Sequence, residues 1–364
     1  MDLATVKKLE TRNDKLIKAV IQKAQACCPE YIDLIGITGS FNTGDIHEKS
    51  DLDLLIVVND VTATQTIATC FILEDVGFDF YCSEWSRFEN MANFTDPHIA
   101  KLMDLKIVYS RNDKVLERYK TLKNLCKDNL TKHNENATKA QKYLELALAE
   151  HSKIILSDDI GVGRFHTFLM IKNLEYSLYL LNNLYIKKGI KHIPEELSSF
   201  PLIPNNFLNI YKNVFTSISL VDLSERSTVL IKICRDFVKE KVAYLQRHEA
   251  LANGDLEGTY EEIYSNWLNK MNRAAKDHDI HTAFMTMASC QEFYLEESKK
   301  YNLPLIQILQ EFDPTDLDKT VLSFKNGMDA WKNICVRNEV KIKKYDSIEN
   351  FKSEYLGNNV TGVK

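Results

Sequence analysis

Two aspartates separated by one leucine, Asp51 and Asp53, open an apolar run through Leu54, Leu55, Ile56, Val57 and Val58, and ten residues separate them from an upstream Gly-Ser pair, Gly39 and Ser40. Side chains alternate faces along a strand, so both carboxylates project to one side while Leu52, Leu54 and Ile56 take the other. Two like charges this close repel, and each raises the other's pKa unless positive charge lies between them. A divalent cation such as Mg²⁺ supplies that charge; it takes oxygen ligands and commonly binds one or two carboxylates together with substrate phosphates. A third carboxylate fits the pattern. In the run Phe78-Asp79-Phe80-Tyr81-Cys82-Ser83, Asp79 shares a face with Tyr81 and Ser83, and the apolar residues take the other; Glu84, just beyond, is a rival on the opposite face. If that strand lies beside the Asp51/Asp53 strand, three acids converge. Two can hold metal ions that clamp attacking and leaving oxygens, and the third can also accept a proton from a hydroxyl nucleophile. Gly39 lets the backbone approach a phosphate closely, the Ser40 hydroxyl and exposed N–H groups can donate to its oxygens, and Gly44 frees the loop further. The whole pattern reads as a metal-assisted phosphoryl or nucleotidyl transfer site.

Positioning these residues requires a particular succession of elements. Residues 3–26 carry Leu3, Val6, Leu9, Leu16, Val20 and Ala24 near helical spacing, and Cys28-Pro29 ends that helix. Residues 31–37 read as a first strand, 39–50 as a loop, 52–58 as a second strand, 62–73 as a helix, 77–83 as a third strand and 106–109 as a fourth. The α/β unit closes near residue 112. Beyond it the chain is rich in Leu, Lys, Glu and Tyr at helical period. Phe165, Phe168, Ile171, Leu174, Leu178, Leu181 and Leu184 line one side of a long helix over 163–188, which Gly189 is placed to stop. Pro194, Pro201 and Pro204 mark an extended loop, 221–247 is another helix, 249–258 reads as a turn-rich linker, and helices resume from Tyr260, one starting at Asp313-Pro314-Thr315-Asp316. Residues from Gly357 onward read as a frayed end. The expected division is 1–112, 113–248 and 249–364.

The chain has 364 residues, 45% hydrophobic and 27% charged, enough for two or three domains with a core in each. No apolar run approaches the ~20 residues that cross a bilayer, and the N-terminus shows no signal-peptide core, so a cytoplasmic protein without membrane partners is expected. The eight cysteines show no CxxC pair or zinc spacing and read as free thiols in a reducing compartment. Residues 1–112 carry 11 Lys and Arg against 17 Asp and Glu, and the remainder 35 against 34. An acidic half around the motif disfavours a long nucleic-acid groove and suits a site that holds cations, either metal ions or a positively charged substrate.

Gly39-Ser40, a ten-residue loop and Asp51-Leu52-Asp53, followed by an apolar strand and the later Asp79, resembles the signature of the polymerase-β-like nucleotidyltransferase superfamily over about residues 30–110. The resemblance implies an α+β chain: a small mixed-sheet nucleotidyltransferase domain followed by an all-helical C-terminal region. It also implies ATP or another nucleoside triphosphate as co-substrate, two Mg²⁺ ions, and transfer of a nucleoside monophosphate to a hydroxyl with release of pyrophosphate. Gly39 and Ser40 would hold the triphosphate, Asp51 and Asp53 would ligate metal, and Asp79 would complete the triad as ligand or general base. A small head with helices behind it, closed by the strand and turn over 107–113, is similar to bacterial antibiotic nucleotidyltransferases that modify aminoglycosides or lincosamides. Residues 250–364 exceed what one helical domain of that kind needs.

In such enzymes the helical domain can supply a glutamate base, and Glu145 and Glu175 are candidates set against a plain reading as helix-face acids. Lys187 and Lys188 could reach phosphates, or simply be a solvated helix end. Arg273 and His278 have the Arg-x₄-His spacing of certain ribonucleases, and His278 and His281 could share a helix face as metal ligands, although surface histidines are the simpler reading. Aromatics over 165–215 pack helices. Three functions compete: nucleotidyl transfer to a small hydroxylated molecule such as an aminoglycoside-like antibiotic; transfer to a protein or RNA end; and a catalytically silent nucleotide-binding regulator.

Overall fold

The structure is a computed structural model and describes residues 3–245, 251 and 254–357. It divides into two compact units, Met1–Leu245 and Gln246–Lys364.

The first unit is built on a five-stranded mixed sheet in the order β3-β4-β2-β1-β5, made of β1 (Ile32–Thr38), β2 (Asp53–Val58), β3 (Thr69–Leu73), β4 (Val76–Glu84) and β5 (Lys106–Ser110). β2 and β4 run parallel; the other neighbours are antiparallel. The two central strands are apolar on both faces, as a sheet covered on both sides requires. Leu54, Ile56 and Val58 of β2 join Ile35, Ile37, Phe78 and Phe80 in a core closed by Val20 and Ala24 of helix α1 (Leu3–Cys27). Leu34, Leu55 and Val57 face the other way, into a core shared with the helices that follow.

Short turns of helix, α2 (Ser40–Thr43) and α3 (Thr64–Ile67), lie between the first strands. α4 (Trp85–Ala92) and α5 (Ala100–Met103) connect β4 to β5, and α6 (Asp113–Leu130) follows. The bundle continues with α7 (His133–Ile155), α8 (Ile160–Leu181), α9 (Ile193–Ser198), α10 (Phe207–Val214) and α11 (Leu220–Leu245). At the end of the sheet away from the Gly-Ser turn, buried Asp33 accepts from Trp85 Nε1 at 2.7 Å and pairs with Arg111 at 2.8 Å, joining β1, the start of α4 and the end of β5.

The second unit holds α12 (Thr259–Ile263), α13 (Asn269–Lys276), α14 (Ile280–Lys300), α15 (Leu317–Arg337) and α16 (Ile348–Leu356). Its core centres on Trp331, Tyr294, Phe324 and Met287, with Trp331 Nε1 donating to Thr259 Oγ1 at 3.1 Å. Asp316 caps α15 by accepting from Lys319 N at 2.9 Å, at the helix start expected there.

Three expectations change. The helix expected over 62–73 is only the four residues of α3, and Thr69–Leu73 is an edge strand, β3. It pairs with β4 through a two-residue turn, Glu74 and Asp75, both at positive φ (52° and 59°). Such turns normally carry Asn or Gly, so this one has no sequence signal. The long helix ends at Leu181, well before Gly189: Asn183 takes the left-handed conformation, with Asn183 N donating to Leu180 O and Leu184 N to Tyr179 O at 2.9 Å each, a Schellman closure. His278 sits at φ 52° in the turn between α13 and α14, so it shares no helix face with His281. Of the linker expected over 249–258, residues 254–258 form turns, while 249, 250, 252 and 253, and the end from 358, lie outside the described residues. Among the described residues no helix is long and apolar enough to cross a membrane.

Candidate active site

Register places the acidic residues. Thr38 of β1 pairs with Asp53, the first residue of β2. Leu54 pairs with Phe80 and each later β2 residue with the next of β4, so Asp53 and Asp79, one step earlier on parallel strands, stand at the same level and point to the same face. Tyr81 follows on that face. Asp51 lies two residues before Asp53, outside the strand.

The Gly-Ser turn closes on this point. Gly39 has φ 69° and ψ −151°, a region essentially restricted to glycine. A Cβ at this position would lie 1.8 Å from Asp53 Oδ2, so glycine is what lets the carboxylate sit against the turn. Gly39 O accepts from Asn42 N and Thr43 N at 3.0 and 3.1 Å, folding residues 40–43 into one helical turn. Ser40 Oγ is buried and has no hydrogen-bond partner among the described residues.

The electrostatics mark Asp53. Burial pushes its carboxyl up, the charges of Asp51 and Asp79 push it further, and Lys101 offsets part of this. Lys101, on α5, was not singled out by sequence; its Nζ lies 4.6 Å from the centre of the Tyr81 ring. Cys70, on the unforeseen strand β3, pairs with Asp79, and its thiol donates to Asp79 Oδ1 at 3.1 Å. On the other flank Arg12 of α1 donates to Ser50 O at 2.6 Å, lies over the Phe78 ring at 4.9 Å and faces the charge of Asp51. No local sequence signal marks Lys101, Cys70 or Arg12, because each arrives from a separate element.

Among the described residues no three His, Cys, Asp or Glu side chains stand together as a metal-holding group. Asp53 and Asp79 share level, face and mutual repulsion, while Asp79 is turned to the Cys70 thiol. The remaining candidates fall elsewhere. Glu84 ends β4 opposite Val58, five residues along the strand from Asp79, and precedes α4 without a side-chain bond to its first turn. Glu145 is exposed and accepts from Gln141. Glu175 is buried in the helical core, accepts from Tyr211 Oη at 2.7 Å and is pushed up to about 6 by burial. Arg273 pairs with Asp277 at 2.9 Å.

Residues 14–124 match the family model of the nucleotidyltransferase domain. The chain carries a nucleotidyltransferase domain. Its boundaries take in the Gly-Ser turn, all five strands and most of α6, and they make the protein an enzyme of nucleotidyl transfer. No curated protein matches the chain. Among solved structures, a nucleotidyltransferase-like protein from Exiguobacterium sibiricum 255-15 is similar at 10% identity, over 76% of this chain and 91% of that one, with a TM-score of 0.31.

Proposed function

We propose that the nucleotidyltransferase domain moves a nucleoside monophosphate from ATP or another nucleoside triphosphate to a hydroxyl of a small molecule, with Mg²⁺ bound at Asp51, Asp53 and Asp79. The observation that carries this reading is the seating of Asp53 against Gly39 with Asp79 level with it on the parallel strand.

Asp53 and Asp79, level and on one face, fit a hard divalent ion as a pair, with Asp51 just before the strand. Their donors are all carboxylate oxygens, and Asp53 bears negative charge from Asp51 and Asp79 that Lys101 only partly offsets. When bound, such an ion neutralises phosphate charge and polarises the phosphoryl group. The chain's own groups do the rest. The unpartnered Ser40 hydroxyl is free to donate to a phosphate oxygen, and Gly39 leaves the backbone open to it. The acceptor oxygen bonds to the α-phosphorus, the bond from that phosphorus to the bridging oxygen breaks, and pyrophosphate leaves. Asp79, exposed on β4 beside the edge strand β3 and bonded to the Cys70 thiol, would take the acceptor's hydroxyl proton.

The test is pyrophosphate release from ATP and Mg²⁺ with a panel of acceptors, aminoglycosides among them, comparing the protein with Asp53→Asn. Turnover is expected to fall by about a hundredfold or more, the scale of losing one preorganised electrostatic group. The metal-free variant should melt at a higher temperature, because a carboxylate that burial and two neighbours disfavour has been removed. Undiminished turnover in the variant removes Asp53 from the site; a folded protein that releases no pyrophosphate with any acceptor overturns the reading.

A further inference from the structure

Helix α8 leaves half of an apolar stripe without a partner. Phe165, Phe168, Ile171 and Leu174 follow at a spacing of three. Each such step falls about 60° short of a full turn on a helix of about 3.6 residues per turn, so the stripe winds around the helix and does not keep to one side. Ile171 and Leu174 reach the core of the first unit. Phe165 and Phe168 are turned outward, 58% and 54% exposed, with Val162 beside them at 49%. The neighbouring helix α7 extends the patch. Its Tyr143 ring meets that of Tyr176 at 5.5 Å, and its Glu150 lies 2.7 Å from His166 Nδ1. Between these contacts, on the same face of α7, Leu146 is 53% exposed.

The residues around Phe165 are arranged in complementary pairs about it. Asp158 stands seven residues before it and Lys172 seven after, about 10 Å either way along the helix. Among the described residues neither makes an ion pair; Lys172 Nζ lies 5.8 Å from the centre of the Tyr176 ring. Gly161 and Leu169 stand four residues before and after, and Val162 and Phe168 three, so a smaller side chain on one flank mirrors a larger one on the other. A second copy of α8, laid antiparallel across the first with the two-fold axis at Phe165, brings Phe165 against its own equivalent. It sets Leu169 over the space at Gly161, Phe168 against Val162, and Asp158 against Lys172 at both ends. The surrounding charges are mixed in sign: Asp159 caps α8, and Glu150 pairs with Lys153 at 2.7 Å. A lipid surface calls instead for clustered Lys and Arg beside the apolar face.

We propose that the outer face of α8 is the interface of a symmetric dimer of this chain. Phe165 and Phe168 form its apolar centre, and Asp158 and Lys172 close its rim with opposite charge. The two-fold axis uses the same patch twice, so one self-complementary face is enough. The interface stands apart from the nucleotidyl-transfer reading, because none of these residues belongs to the site around Gly39 and Asp53.

The test is sedimentation equilibrium of the full chain over a concentration series, with circular dichroism to check folding. It compares wild type with Phe165→Asp, Lys172→Asp and the double variant Asp158→Lys/Lys172→Asp. Wild type should dimerise reversibly. Phe165→Asp, which sets two carboxylates face to face on the axis, should be folded and monomeric. Lys172→Asp should weaken the dimer by about tenfold, since an attraction at each end becomes a repulsion, and the effect should fade at high salt. The double variant should recover wild-type affinity, because the antiparallel register restores each pair with its signs exchanged. Three results each overturn the proposal. One is a chain that stays monomeric at every concentration, its α8 face left open or covered by another segment. Another is a dimer that persists in folded Phe165→Asp. The third is a double variant that associates no better than Lys172→Asp.

Discussion

The tightest constraint at the scale of single residues is the contact between Gly39 and Asp53. Gly39 combines a backbone conformation that L side chains rarely adopt with a Cα face on which Asp53 Oδ2 rests. Gly39→Ala therefore does two things at once. It costs about 1–3 kcal/mol of stability from the strained backbone, and it drives the Asp53 carboxylate from its place. The expected outcome is a folded but less stable protein, measured by denaturant unfolding, whose turnover falls as far as that of Asp53→Asn. Retained turnover would show that Asp53 need not touch the turn. Gly39, Ser40, Asp51, Asp53 and Asp79 stand out in the sequence because residue type and spacing carry their signal. Lys101 and Cys70 do not, since a lone lysine on a four-residue helix and a lone thiol on an edge strand have meaning only through what they face.

At the scale of elements, the loop that follows the Gly-Ser turn is tethered to the start of α9. His192 lies between two carboxylates, with Nδ1 2.9 Å from Glu195 Oε2 and Nε2 2.9 Å from Asp45 Oδ2, and Lys191 adds a weaker contact to Asp45 at 3.5 Å. Hydrogen bonds to Glu195 and then Asp45 raise the His192 pKa, and Asp45 is held low by the same imidazole. The sign follows from linkage. A histidine raised on folding contributes its stabilisation fully below the unfolded value near 6.5, and loses it as pH rises through the raised value. The tether should thus be closed at pH 6 and loosen toward alkaline pH. An NMR titration should show the His192 imidazole releasing its proton at higher pH in the native protein than in Asp45→Asn; identical titrations would mean that the tether carries no electrostatic weight. Continuous apolar runs made β1 and β2 legible, alternation made β4 legible, and a short apolar run marked β5. β3 was hidden because its hairpin turn uses Glu74 and Asp75, and the end of α8 because an asparagine fills the place usually taken by glycine.

At the scale of the molecule, each unit has its own buried core, and the tryptophans divide between them. Trp85 belongs to the unit of Met1–Leu245, and Trp267 and Trp331 to that of Gln246–Lys364. Trp331 is fully buried and bonded to Thr259, so Trp331→Ala should destabilise the second unit by about 3–5 kcal/mol, the range for emptying a large aromatic site. Trp85 fluorescence should report an unchanged transition for the first unit; a parallel loss in both would mean that the two unfold as one.

The sequence by itself determined what depends on neighbours along the chain. Period-two and helical patterns set the order of the small sheet and the helices behind it, and the Gly-Ser and Asp-x-Asp spacing marked the end of the sheet where chemistry is placed. Tertiary structure alone decided which distant side chains meet there: Lys101 beside Tyr81 and Asp53, Cys70 beside Asp79, and four lysines, Lys106, Lys123, Lys187 and Lys188, from three elements around one cleft. The physical reason is range. Backbone geometry and side-chain alternation act over a few residues and so leave a local imprint, whereas a charge cluster assembled across long loops leaves none until the core brings its members together.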